Sequence, residues 1–250
     1  MYDKTRFSNN VKHLLKEQGI KSTDLDASIG KSSGYTYKTL SDASSTAPSI
    51  EVVSAMADKL HTTVTTLLEA NFDSLTKMEH YILSFVTKLI KKTTDGSLAW
   101  KAEQNTSPDT QQFYCDPLGG EDKPENPLFV TLPCNPYDES CRIQCRYYSR
   151  FITNANYIPS GNFFYAGISY GKQVYITKLT EEGASPSNDA IYELYLISGE
   201  QVDTICSSAL GYHLVFRKTL QELYGLICEA MLHFRLEPDA KKAIDSFMED

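Results

Sequence analysis

A serine, a set of cysteines and five histidines are the residues whose types and spacing could do chemistry. Gly167-Ile168-Ser169-Tyr170-Gly171 fits the nucleophile-elbow pattern of hydrolases, and Asp189 or Asp203 and then His213 follow in the chain order of a catalytic triad. That elbow needs a strand, a sharp turn and then a helix, so that the serine hydroxyl stands above a sheet. Here the residues after the serine, Lys172 to Lys178, read as a second strand. The expected element is a β-hairpin turning near Tyr170-Gly171, and a serine hydrolase at Ser169 is a remote alternative.

Cys134, Cys141 and Cys145 suggest a metal site. Cys141 and Cys145 lie in or beside a predicted strand, where four residues span about 13 Å. Two thiolates on one zinc must lie within roughly 4 Å of each other. Free thiols are therefore expected for these three and for Cys115, Cys206 and Cys228, with no metal and no cofactor. The histidines (His13, His61, His80, His213, His233) show no ligand spacing, and the glycines form no phosphate-cradling loop.

The chain that must position these residues has 250 residues, 41% of them apolar and 22% charged, which suits one or two folded domains. Its formal charge is −8, from 24 Lys and Arg against 32 Asp and Glu. Taken whole, that charge argues against a general polyanion binder. No stretch has the length of a membrane-spanning helix, and the first ten residues carry no apolar signal core, so a cytoplasmic protein is expected.

Periodicity divides the chain. Phe7, Val11, Leu14 and Leu15 mark a first helix ended by Gly19, and Leu25 and Ile29 a second ended by Gly30. A third covers about residues 33–40, and residues 41–48 form a loop. Ser49 suits the cap of a fourth helix, its hydroxyl accepting from a first-turn N–H, with Val52, Val53, Met56, Ala57 and Leu60 as the apolar face. Val64, Leu67 and Leu68 mark a fifth.

An amphipathic helix over 75–93, bearing Tyr81, Ile82, Phe85, Val86, Leu89 and Ile90, joins this head to the rest. It is expected to pack on the strands or to pair with its copy in a dimer. A polar loop spans 101–127. Strands are expected at 128–132, 143–152, 162–169, 173–179 and 191–198. Leu220, Leu223, Tyr224, Ile227, Met231 and Phe234 mark a long helix, and Pro238 opens a short last one. The later part holds 13 of the 16 tyrosines, which on strands mostly build a core or a dimer interface. The predicted fold class is α+β. A five-helix head over 1–72 precedes an α+β domain over 73–250 with an antiparallel sheet and flanking helices.

The head resembles the helix-turn-helix domain of the Cro/XRE family, the phage-repressor-like transcriptional regulators, over about residues 5–70. Pro48-Ser49, Val52, Met56-Ala57, Leu60 and Leu67-Leu68 carry the resemblance, with Leu25-Asp26-Ala27-Ser28-Ile29-Gly30-Lys31-Ser32 as the second helix and turn. The family's logic is that a protruding short helix enters the major groove while its neighbour rests on the backbone. The resemblance implies a reading helix starting near Ser32, with Ser32, Ser33, Tyr37 and Lys38 facing the bases and Ser22 on a phosphate. Gly34 falls at another reading position but has no side chain. Lys21, Lys31, Ser44 and Thr46 join as phosphate contacts by chemistry and location.

Three residues depart from the family pattern. Asp26 stands where the family has a small alanine, and Thr36 and Thr39 where it has apolar core residues. If the third helix were rotated or shifted by one residue, Tyr37 and Leu40 would supply that core, and Tyr37 would leave the DNA face. The family's self-cleaving members have an Ala-Gly cut site. Ala166-Gly167 falls inside a predicted strand, without a Gly-Asp-Ser signature.

Charge splits at residue 72. The head has eight Lys and Arg against eight Asp and Glu, so the −8 belongs to the remainder. The expectation is a non-enzymatic, sequence-specific regulator of the prophage or mobile-element repressor type. It would bind a double-stranded operator as a homodimer and take a small-molecule or protein effector on its C-terminal domain. The alternative is a protein-interaction or antitoxin-like adaptor whose head is not used on DNA.

Overall fold

The computed structural model describes residues 2–41, 47–103, 128–132, 144–147, 149–151, 157–160, 163–181, 190–209, 214–233 and 246. The chain is α+β: helices lead, an antiparallel sheet follows, and a long helix comes after the sheet.

The first helix, α1 (Lys4–Gln18), opens on Asp3, whose carboxylate accepts from the Arg6 N–H at 3.0 Å. It ends at Gly19, as its sequence predicts. Its stripe of Phe7, Val11, Leu14 and Leu15 is buried. The helices α2 (Ser22–Ser28), α3 (Tyr35–Thr39), α4 (Ile50–Lys59) and α5 (Val64–Glu69) complete the five-helix run.

Helix ends leave carbonyls without intrahelical partners, and α1 supplies donors for them. Buried Asn10 donates its side-chain amide to the carbonyls of Leu67 (2.9 Å) and Ala70 (2.7 Å) at the end of α5. Gln18 does the same for Leu60 after α4, at 2.6 Å.

Ser49 stands at the N-cap of α4, but its hydroxyl bonds no first-turn N–H. The hydroxyl bonds the Glu51 carboxylate instead, which holds Glu51 below the usual range. An ionised acceptor two residues away outcompetes a cap made by the hydroxyl oxygen.

The next helix, α6 (Lys77–Thr94), starts with a reciprocal cap. The Thr76 hydroxyl accepts from the Glu79 N–H (3.2 Å), and the Glu79 carboxylate accepts from the Thr76 N–H (2.7 Å). Its buried stripe is Leu83, Val86, Leu89 and Ile90, whereas Tyr81, expected on the apolar face, is exposed.

Compactness divides the chain after Asp95 instead of after residue 72. One unit is Met1–Asp95 with His213–Leu223, and the other is Gly96–Tyr212 with Tyr224–Asp250. α6 therefore belongs to the same compact unit as the five head helices, and its Leu83 and Thr87 line a pocket with Leu14 and Leu60. The helix α7 (Leu214–His233) begins six residues before its predicted apolar series and is counted half with each unit. In the first unit Lys218 donates to Glu69 at 2.5 Å, and Arg6 lies 3.7 Å from the other Glu69 oxygen.

In the second unit β1 (Lys101–Glu103), β5 (Phe163–Gly167), β6 (Gln173–Glu181), β7 (Ile191–Ser198) and β8 (Gln201–Ser207) pair in that order. β4 (Tyr157–Pro159) also pairs with β6, and β2 (Phe129–Leu132) pairs with β3 (Gln144–Tyr147). All these pairings are antiparallel.

Alternation gives the sheet two apolar faces. Phe163, Tyr175, Tyr195 and Ile197 cluster with Leu128 on one. On the other, Phe164 and Tyr192 pack 5.2 and 5.4 Å from the Tyr224 ring of α7. The tyrosines thus build core. Glu193, wholly buried, is bonded by the hydroxyls of Tyr195 (2.6 Å) and Ser149.

Three strands differ from expectation. β1 falls where a loop was predicted, and β4 and β8 lie in segments with no predicted strand. The loop over 104–127, the short helix from Pro238, Asp189, His213, Cys115, Cys134 and Cys141 lie outside the described residues. Among the described residues, no helix is long and apolar enough to cross a membrane.

Candidate nucleic-acid interface

The local sequence dictates how α2 hands over to α3. Ile29 ends α2, and Gly30 follows at φ +67, a left-handed conformation that glycine adopts without steric cost. The Lys31 N–H then reaches back to the Asp26 carbonyl (2.9 Å) and the Gly30 N–H to the Ala27 carbonyl (3.3 Å), which closes the helix end. Lys31-Ser32-Ser33 carries the chain to Gly34, at φ +88, where α3 begins.

Asp26 fixes this geometry. Its side chain is 1% exposed, and its two oxygens accept the N–H groups of Gly34 (2.8 Å) and Thr36 (2.7 Å). A carboxylate on α2 thereby caps α3 across the turn. Burial opposes its ionisation, but the hydrogen bonds from Thr36, Gly34 and Tyr35 outweigh that and hold the carboxyl below the usual aspartate range. The buried N-terminus of α3 thereby gains an acceptor for two of its N–H groups.

The rotation of α3 is also settled. Thr36, Thr39 and Leu40 are buried, whereas Tyr37 is 77% exposed. Thr36, Thr39 and Leu40 therefore face the core, and the alternative with Tyr37 turned inward does not occur. Lys31, Ser32, Ser33, Tyr37 and Lys38 are all exposed, so the turn and α3 present one contiguous outward segment. The Lys31 ammonium lies 5.5 Å from the centre of the Tyr35 ring.

The remaining residues lie beside this segment or outside the described region. Lys21 is exposed at the N-cap of α2, and Ser22, its first residue, is half-buried. Ser44 and Thr46 lie outside the described residues. The segment offers two ammonium groups, two hydroxyls and a phenol, which suits phosphate contacts and modest base discrimination. The compact head holds 14 Lys and Arg against 12 Asp and Glu, so including α6 and the start of α7 turns the neutral head slightly basic.

The hydrolase arrangement has no such support. β5 and β6 form a hairpin with Gly167 opposite Gln173, and Ser169 sits in its turn. Tyr170 stands at φ +64 and is 98% exposed. This is strand, turn and strand. Cys206 is buried and Cys228 half-buried, both as free thiols. Among the described residues no group of His, Cys, Asp or Glu is placed to hold a metal ion. No protein family, curated protein or solved structure matches the chain.

Proposed function

We propose that the protein is a sequence-specific DNA-binding regulator that acts as a homodimer, of the prophage or mobile-element repressor type. The observation that carries this reading is the α2–turn–α3 unit. Asp26 clamps the turn from within, while Lys31, Ser32, Ser33, Tyr37 and Lys38 all face outward. A short helix with a buried polar anchor and an exposed basic and hydroxyl face meets the geometric need of a major-groove reader. Ser22 and Lys21 at the start of α2 are the backbone contacts. Two such heads in a dimer gain affinity through effective concentration and demand an inverted repeat with half-sites about 34–36 Å apart. The acidic remainder of the chain limits non-specific affinity and favours approach by the head.

Selection of bound sequences from random duplex DNA tests this directly. An enriched inverted repeat is the expected result. No enrichment, with binding that vanishes uniformly as salt rises, rejects it and leaves the adaptor reading.

A further inference from the structure

Within the head, α1 and α6 flank a cleft of about 630 Å³, the size of a small-molecule site. α1 contributes His13, Lys16 and Glu17. α6 contributes Lys77, His80, Tyr81 and Ser84, spaced three, one and three residues apart along a single helical face.

Part of the lining is rigid. The rings of His13, Phe72 and His80 lie mutually 4.9–5.3 Å apart, with planes within 8–17° of parallel. A His80 nitrogen lies 3.0 Å from the Phe72 carbonyl oxygen, which fixes that ring's orientation.

Charge on the walls is uneven. Neither the Lys16 ammonium nor the Lys77 ammonium has a hydrogen-bond or ion-pair partner among the described residues. The one acidic residue of the lining, Glu17, lies 3.9 Å from His13. Tyr81 is 74% exposed beside them, an apolar ring held at a wet surface next to free cations. Two unpaired ammonium groups on facing helices favour a compact anion. An exposed phenol ring beside them favours a flat ring stacked on its face.

We propose that this cleft binds a small organic phosphate bearing an aromatic base, the class of a nucleoside monophosphate. Lys16 and Lys77 hold the phosphate, and Tyr81 stacks on the base. None of these residues belongs to the α2–α3 segment, so the site is separate from the DNA-reading face.

Calorimetric titration of the full chain with adenosine monophosphate is the test. One saturable site per chain is expected, with adenosine and inorganic phosphate each at least about tenfold weaker. Replacing both cations (Lys16→Gln with Lys77→Gln) should weaken binding at least about tenfold, and Tyr81→Ala about fivefold. Lys12→Gln, an exposed change on α1 outside the cleft, should leave binding unchanged. Circular dichroism confirms that each variant is folded. Absence of saturable binding overturns the proposal, as does adenosine binding as tightly as its phosphate, or equal loss in Lys12→Gln. Displacement of the nucleotide by duplex DNA with the same dependence on Lys77 overturns it too, and assigns the cleft to the DNA backbone.

Discussion

The Asp26 carboxylate accepts the Thr36 N–H at 2.7 Å from inside the head, ten residues away along the chain. Its second oxygen accepts the Gly34 N–H, so two helices meet through one buried side chain. Replacing it strands those donors in the core. Asp26→Ala should cost about 1–3 kcal/mol of stability, read as a lower urea midpoint. Asp26→Asn should also destabilise, because its amide NH2 sets a donor against a donor.

The same carboxyl gives stability a pH dependence whose sign is determined. Its folded pKa lies below the ordinary aspartate value of 3.8. A depressed carboxylate stabilises the fold above that value, and the contribution disappears as pH falls through the lower folded one. Acid titration of the wild type should show this loss. In Asp26→Asn the corresponding slope should be absent, and an unchanged slope would contradict the assignment.

Local signals account for what was legible in the sequence. Gly19 and Gly30 act within one helical turn of themselves, and the ends they predict are observed. The aromatic and β-branched richness of β6 and β7 is likewise a local property, and both segments are strands with four consecutive buried residues. The role of Asp26 was not legible, because its partners lie eight and ten residues away and follow no capping spacing. β8 escaped because Gln201, Asp203 and Thr204 break its apolar run. Its pairing with β7 depends on tertiary context, not on propensity. The cleft between α1 and α6 was invisible for the same reason, since His13 and His80 are 67 residues apart in the chain and 5.2 Å apart in space.

Glu222 on α7 runs opposite to Asp26. Burial pushes its carboxyl above the ordinary glutamate value of 4.5, and the nearby Thr65 side chain relieves only part of that. One of its oxygens is buried without a hydrogen-bond partner. A raised carboxyl favours the folded state while protonated, so its contribution declines as pH rises from 4.5 through the folded value. Glu222→Gln, neutral at every pH, should be more stable than wild type at pH 7. The two proteins should converge near pH 4, which thermal melts at both pH values will show.

His61 follows α4 at φ +52, a left-handed position that glycine normally takes. The Thr62 N–H reaches the Ala57 carbonyl there (2.9 Å), and the His61 N–H reaches Asp58 (3.2 Å), the closure seen after α2. A side chain in that conformation costs roughly 1–2 kcal/mol, against about 0.5–1 kcal/mol of added chain entropy for glycine. His61→Gly should therefore raise stability by about 0.5–1 kcal/mol, a melting shift of about 2 °C. A lower melting temperature would mean that the imidazole makes a compensating contact.

Lys38 and Lys59 carry the same charge on different elements of the head, which makes them a controlled pair. Lys38 lies on the exposed face of α3, beside Tyr37, and Lys59 closes α4. Both ammonium groups contribute to the general field, so charge alone predicts equal losses on removal. A reading helix predicts inequality. Lys38→Ala should weaken binding to the selected operator about tenfold and Lys59→Ala about twofold or less, at fixed salt. Tyr37→Ala should reduce discrimination between operator and random duplex more than it reduces non-specific affinity, because a phenol adds contact to bases without neutralising phosphate. The salt dependence separates the two roles. Removal of a phosphate contact lowers the slope of log affinity against log salt by about 0.9, whereas removal of a base contact leaves it unchanged. Equal losses for Lys38 and Lys59, with equal slopes, would show that α3 does not enter the groove.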